Sequence, residues 1–199
     1  DVNSKVSCHY FVKRDGKIIT MVPEIYEAWH AGKSNWKTDK SLNKRSIGVE
    51  ISNRGHEYGY QRYTAKQINS LIKLSKYLIK KYKIKKANIL GHSDIAFDRK
   101  IDPGEMFPWE YLSKHKIGSW HKINKKFLKK IRSKKILKAQ EIEFFKYLYK
   151  IGYYEKLKYS SKKIIKLVKN FQRHFRQSLV DGKIDQECLL IAKNISKNG

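Results

Sequence analysis

The sequence predicts an α/β fold: a mixed central sheet with flanking helices, followed by a small C-terminal three-helix bundle. Three observations carry this. Segments of two-residue alternation open the chain, one long segment of helical period lies between strand-like ones, and the last third shows helical spacing alone.

Val6, Cys8, Tyr10 and Val12 alternate with more polar residues, Asp15-Gly16 supplies a turn, and Ile18, Thr20 and Val22 resume the alternation. This is the pattern of a hairpin. In SIGVEIS, residues 46–52, Ile47, Val49 and Ile51 share one face while Ser46, Gly48, Glu50 and Ser52 share the other. Glu50 therefore points away from the apolar layer. Thr64 with Gln67 forms a capping box, and Ile68, Leu71, Ile72, Ser75, Leu78, Ile79 and Tyr82 follow at helical spacing, which predicts a helix over 64–82. Asn88, Ile89 and Leu90 predict a short apolar strand that delivers His92 to its end.

From 121 the run HKINKKFLKKIRSKKILK is dense in lysine with no acidic residue, and reads as a connector that is partly helical. Beyond it, Ile142, Phe145, Leu148 and Tyr149, then Ile164, Ile165, Val168, Phe171 and Phe175, then Leu189, Ala192 and Ile195 predict three short helices, punctuated by Gly152 and Asp181-Gly182.

A chain of 199 residues is long enough for one good core, or for a medium domain with a small companion. Lys and Arg outnumber Asp and Glu by 45 to 18, a net charge of +27. Such a field favours polyanions, whether nucleic acid, acidic lipid or anionic wall polymer, and its sign does not choose among them. Lysine filling exposed positions accounts for it equally well, so no specific nucleic-acid partner is predicted. Cys8 and Cys188 show no metal-type spacing and are expected to be buried free thiols. No apolar run reaches the length of a membrane span, and DVNSKVSCHYFV shows no signal core. The chain opens inside what reads as a strand, so a processed or truncated start is expected. Nothing in the composition specifies an oligomeric state.

The chemistry concentrates in GHSDIAFDRKIDPG, residues 91–104, which sets a histidine, a lysine and several carboxylates on one short segment closed by Pro-Gly. A zinc hydrolase needs imidazole and carboxylate ligands with a cation nearby for developing negative charge. His92 and Asp102 are the candidate metal ligands, and Lys100 the candidate cation. Each has a plainer reading: a histidine at a strand end, a turn-forming Asp and a solvated lysine. Glu50 is a candidate acid/base group, since its face also carries the small Ser46 and Gly48, which leave room for a substrate.

Together with AWHAG at 28–32, LNKRSIGVEISNRG at 42–55 and FPWEYL at 107–112, this segment resembles the type 2 N-acetylmuramoyl-L-alanine amidases, with the motifs in family order from Val6 to Trp120. These enzymes cut the amide between N-acetylmuramic acid and the L-alanine of the peptidoglycan stem peptide. YKIGYY at 149–154, VKNFQRHFR at 168–176 and DGKID at 181–185 resemble a three-helix peptidoglycan-binding domain.

The resemblance implies a zinc amidase catalytic domain over 1–120, its first strand missing, and a basic connector with a peptidoglycan-binding-like helical domain over 121–199. It implies zinc as cofactor, His92 and Asp102 as ligands, Glu50 as acid/base, Lys100 as the cation near the reacting carbonyl, and Trp29, His30 and Asn43 as substrate-binding residues. A further histidine ligand is expected upstream of Asp1, because His9 matches a different family histidine. Peptidoglycan or muropeptide is the implied substrate, and the bacterial cell envelope or periplasm the implied location, with the cytoplasm as the other. The competing reading is a peptidoglycan-recognition protein that lacks a complete zinc site.

Overall fold

The computed structural model describes residues 6–153 and 160–198. Asp1 at the expected strand start and Tyr154 of YKIGYY lie outside them. The strands are β1 (Tyr10–Val12), β2 (Ile18–Thr20), β3 (Asn35–Trp36), β4 (Asp39–Lys40) and β5 (Val49–Ile51). The helices are α1 (Ala65–Tyr82), α2 (His92–Ile95), α3 (Trp109–Lys114), α4 (Lys125–Ile131), α5 (Lys138–Ile151), α6 (Ser161–Phe175) and α7 (Gln186–Asn198). This is the expected mixed sheet with flanking helices and a helical C-terminal region. Contacts group the chain into two compact units, residues 1–35 with 39–85, and residues 36–38 with 86–199. This division by contact falls earlier than the motif-based one at 120, so the segment bearing His92 and Asp102 is grouped with the C-terminal helices.

In the first unit the sheet order is β2-β1-β5, with β1 antiparallel to β2 and parallel to β5. The register pairs Tyr10 with Val49, Phe11 with Glu50 and Val12 with Ile51. Tyr10, Leu74 and Leu78 form a buried cluster with Ile47, Val49 and Ile84 packed on it, so α1 covers the Tyr10/Val49 face. The two-residue period then puts Glu50, with Phe11, on the face away from α1. The capping box is present as expected: Gln67 N–H donates to Thr64 Oγ1 at 3.1 Å, and Thr64 N–H to Gln67 Oε1 at 3.0 Å. The buried Gln67 also donates from Nε2 to the Ser52 carbonyl at 2.8 Å, fastening the helix start to the chain after β5. Thr64 Oγ1 donates to the Arg14 carbonyl in the hairpin turn, where Gly16 (φ 87°) sits so close to α1 that a Cβ would lie 2.8 Å from the Lys66 carbonyl oxygen.

The far end of α1 is tied by Glu24. Its carboxylate accepts hydrogen bonds from Tyr10 Oη and Tyr82 Oη, and from Lys81 Nζ at 2.6 Å. Burial alone would raise its pKa, but these donors and the Lys81 charge bring it down to about 2.

The second unit holds the three predicted helices. α5 is rotated from the expected phase: Phe144, Leu148 and Ile151 are buried, whereas Ile142 and Tyr149 are exposed by 50% and 63%. The neighbouring Phe144 and Phe145 make two registers of the helical stripe available, and Phe144 wins because it meets the Phe171 ring edge-on at 5.3 Å. The DGKID loop is folded around a buried cation. Arg176 Nη1 reaches Asp185 at 2.5 Å and its Nη2 reaches Asp181 at 2.8 Å. Gln172 is fully buried; it donates to Asp181 and the Lys183 carbonyl and accepts from Gly182 N–H. A buried guanidinium is tolerated only with such partners. The lysine-rich run contributes α4, whose Leu128 is buried and whose N-terminus Asn124 caps by accepting from Lys126 and Phe127 N–H.

The strand expected at 88–90 is absent. Ile89 N–H closes a turn onto the Lys86 carbonyl and Gly91 N–H is taken by the Asp94 side chain, so two donors on either side of Leu90 are turned to local partners instead of a ladder. Both cysteines are free, but only Cys188 is buried, and Cys8 is half-buried. Among the described residues no helix is long and apolar enough to cross a membrane.

Two outcomes follow from this packing. Because the folded pKa of Glu24 is depressed, its contribution to stability is fully present above the unfolded value near 4.5 and is lost as pH falls toward about 2. Urea unfolding across that range shows a shallower acid loss for Glu24→Gln than for the parent. Phe144→Ala costs about 3–5 kcal/mol in the same assay, while Tyr149→Ala stays within about 0.5 kcal/mol.

Candidate functional site

The candidate residues divide between the units: Trp29, His30, Asn43 and Glu50 in the first, His92, Lys100 and Asp102 in the second. In the second, His92 opens the single turn α2, and Asp102 follows ten residues on, joined to Pro103 by a cis peptide. His92 Nδ1 lies 3.1 Å from Asp102 Oδ2. The two side chains are brought together by their backbones, since Ser93 N–H donates to the Asp102 carbonyl at 2.9 Å. Gly91 permits this approach, because a Cβ there would meet Pro103 Cδ at 2.6 Å.

Burial works to raise the Asp102 pKa, but the hydrogen bond and charge of His92, with a smaller effect from Lys100, outweigh it and hold the carboxyl below its usual range. Lys100 is half-buried, its backbone N–H bonded to the Ala96 carbonyl, and its charge acts on Asp102. An imidazole and an ionised carboxylate side by side suit a zinc ion in donor chemistry. Among the described residues no group of three or more His, Cys, Asp and Glu could hold a metal, so this pair supplies two donors of the three that a catalytic zinc takes from protein.

In the first unit Glu50 is exposed on β5, and its charge acts on Cys8. Burial, and then the Glu50 charge, push the Cys8 thiol up, which keeps it protonated. His30 lies flat against Gly48: a Cβ on Gly48 would fall 2.3 Å from the His30 ring. Its Nδ1–H donates to the Ala28 carbonyl at 2.8 Å, and its Nε2 is 2.9 Å from Ser46 Oγ. Asn43 Oδ1 accepts from Ala31 N–H at 2.7 Å, which fixes the AWHAG loop and points to a supporting role for this oxygen. Trp29 is 53% exposed, as an aromatic platform for a ligand must be. His9 has both nitrogens committed: Nδ1 accepts from Gly48 N–H at 3.0 Å and Nε2 faces the Tyr26 carbonyl at 3.1 Å. That leaves no lone pair for a metal.

The sequence reading passed over Asp94. Its side chain is buried, with Oδ2 accepting from Gly91 N–H at 2.8 Å and His174 Nδ1–H at 2.7 Å, and Oδ1 accepting from Tyr153 Oη at 2.6 Å and, more distantly, Asn170 Nδ2. Burial opposes ionisation, but His174 and these hydrogen bonds hold its pKa down. Gly-x-x-Asp before a helical turn was the local signal available. His174, 80 residues away, carries no such signal; it is buried between Trp109 and Phe175, at ring distances of 4.0 and 3.9 Å.

Comparison with known proteins adds the following. The Amidase_2 family pattern, described as N-acetylmuramoyl-L-alanine amidase, matches residues 1–105. The chain is 35% identical to N-acetylmuramoyl-L-alanine amidase AmiD of Escherichia coli over 206 residues, covering 96% of this chain and 74% of that protein. It is 41% identical to 1,6-anhydro-N-acetylmuramyl-L-alanine amidase AmpD of Haemophilus influenzae over 111 residues, 55% of this chain and 58% of the relative. Among solved structures, E. coli AmiD in complex with anhydro-N-acetylmuramic acid-L-Ala-D-gamma-Glu-L-Lys superposes with a TM-score of 0.86 at 32% identity, covering 98% of this chain and 80% of that one. AMPDH3 of Pseudomonas aeruginosa in complex with anhydromuramic pentapeptide gives 0.83 at 30% identity, covering 97% and 82%.

The contact between Gly48 and His30 yields a direct test. Gly48→Ala forces the imidazole off its seat and costs about 1–3 kcal/mol in denaturant unfolding, as overpacking does.

Proposed function

The chain belongs to the N-acetylmuramoyl-L-alanine amidase family, and from that premise we propose that it hydrolyses the amide between N-acetylmuramic acid and L-alanine in peptidoglycan or its soluble fragments, with zinc as cofactor. The observation that carries the reading is the His92–Asp102 pair, an imidazole and a depressed-pKa carboxylate 3.1 Å apart on one braced segment. His92 and Asp102 would hold the metal, together with the further imidazole expected upstream of Asp1. Zinc bound there supplies Lewis acidity toward a carbonyl and lowers the pKa of water.

Glu50 is the group assigned to accept the proton of the attacking water and return it to the leaving amine of L-alanine. Its exposure on β5, on the face away from α1, suits a proton carrier. Lys100 is assigned to the negative charge that develops on the carbonyl oxygen, a role supported by its part in holding the Asp102 carboxyl down. Trp29 offers an exposed ring for a sugar face, with His30 and the Asn43 amide N–H groups as polar contacts. In motif terms the catalytic domain spans 1–120, and 121–199 is a basic connector with a peptidoglycan-binding-like helical domain. Retention on the wall would raise the local substrate concentration. The cell envelope or periplasm suits this substrate, and a cytoplasmic place suits soluble muropeptides.

A recognition protein that holds the same ligand without turnover is the second reading, for which the exposed Trp29 ring offers a stacking surface. Incubation with soluble anhydromuramyl peptide separates the two. The amidase releases stem peptide with zinc and not with chelator, and Glu50→Gln lowers the rate by about 10²–10⁴-fold with zinc content unchanged. Muropeptide binding with neither zinc uptake nor release, in a chain extended through the upstream histidine, overturns the amidase reading.

A further inference from the structure

The segment that bears the two metal-ligand candidates is seated on α6. Lys166 Nζ donates to the Asp98 carbonyl at 2.7 Å, Arg173 pairs with Glu105 at 3.7 Å, and Gln177, just past the helix end, donates to the Phe107 carbonyl at 2.5 Å. At the centre is the buried Asp94, reached by His174 from α6 and by Tyr153 from the turn after α5.

We infer that the C-terminal helices set the geometry of the metal site, with His174 as a positioning residue that acts on His92 and Asp102 through Asp94. This rests on the zinc-site reading above. The chain of contacts is short. His174 Nδ1–H and Gly91 N–H share one oxygen of Asp94. Gly91 is the residue before His92, and it is pressed so closely on Pro103 that no side chain fits between them. Pro103 in turn follows Asp102, whose carbonyl accepts from Ser93 N–H. Releasing Asp94 from α6 frees the Gly91 amide, loosens its seat on Pro103 and lets the imidazole and carboxylate drift from their 3.1 Å spacing.

His174 is built for this task. Trp109 and Phe175 stack on either side of its ring, and its Nε2 is buried with no hydrogen-bond partner among the described residues, so the bond to Asp94 is the polar contact that orients it. A histidine kept only to fill space would not need its one polar bond to fall on the oxygen that also holds Gly91. On this reading the helical region is part of the metal site's framework, and wall binding is not its sole use.

The test uses the full chain with four changes: His174→Ala, His174→Asn, Tyr153→Phe and Val168→Ala. Asn keeps a donor at the reach of Nδ1. Val168→Ala opens a hole in the core side of α6 away from Asp94, as a control for lost stability. Zinc affinity is measured by competition with a chromophoric chelator, and exchange of the Gly91 and Ser93 amide protons is followed in metal-free protein. His174→Ala weakens zinc binding roughly tenfold, at the low end of the effect of groups that orient metal ligands, and speeds Gly91 and Ser93 exchange beyond the global loss of stability. His174→Asn restores both, and Val168→Ala retains parental zinc affinity. If His174→Ala does not fold, Tyr153→Phe, which removes one O–H from Asp94, carries the same comparison with a smaller change. The inference is overturned if His174→Ala or Tyr153→Phe matches Val168→Ala in both measurements. Should the parent take up no zinc at all, the zinc-site reading fails, and amide exchange alone decides whether α6 holds the loop.

Discussion

The carboxylate of Asp94 is the constraint on which the second unit turns. It is buried and ionised, conditions that oppose each other unless donors surround the charge. Gly91, Tyr153 and His174 provide them, with Asn170 at longer range, from three separate stretches of chain. A charge solvated in this way cannot tolerate the departure of one partner without penalty to the others, so loop, turn and helix are fixed as a group. The candidate ligand pair inherits that fixity through one residue, since Gly91 immediately precedes His92.

The first unit solves a different problem with the same economy of parts. Helix α1 must lie over one face of a three-stranded sheet and be held there at both ends. Its start is held by Gln67, which serves the capping box and the chain after β5 at once, and its end by Glu24, which gathers two tyrosines and a lysine. The opposite face carries Glu50. Gly48 in the preceding turn of chain has no room for a side chain because His30 lies against it, so the AWHAG loop and β5 are held in register with each other.

Local patterns were legible in the sequence, and distant pairings were not. Alternation around Tyr10 and Val49, the turn at Asp15-Gly16 and the Thr64/Gln67 box each depend on neighbours a few positions apart, and each appears where expected. The strand expected at Asn88–Leu90 failed because three apolar residues do not encode a ladder partner, and Asp94 takes the Gly91 donor instead. The rotation of α5 was beyond reach because Phe144 and Phe145 are equivalent until Phe171 is present to choose. Of the candidate site, His92 and Asp102 were proposed because their spacing lies within one motif, and the structure sets their side chains 3.1 Å apart. His174 was not, because nothing in the residues around it reveals a partner 80 positions away. The Asp181/Asp185 motif was noted by resemblance, but its purpose, enclosing Arg176, emerged only from burial.

One contact has a practical corollary. The indole of Trp109 rests on the imidazole of His174 at 4.0 Å with the planes nearly parallel, while Trp29 stands in solvent. One of the chain's four indole fluorophores is thus mounted on the joint between the motif segment and α6, and the difference in ultraviolet emission between the parent and Trp109→Phe reports whether that joint is seated, with no label attached.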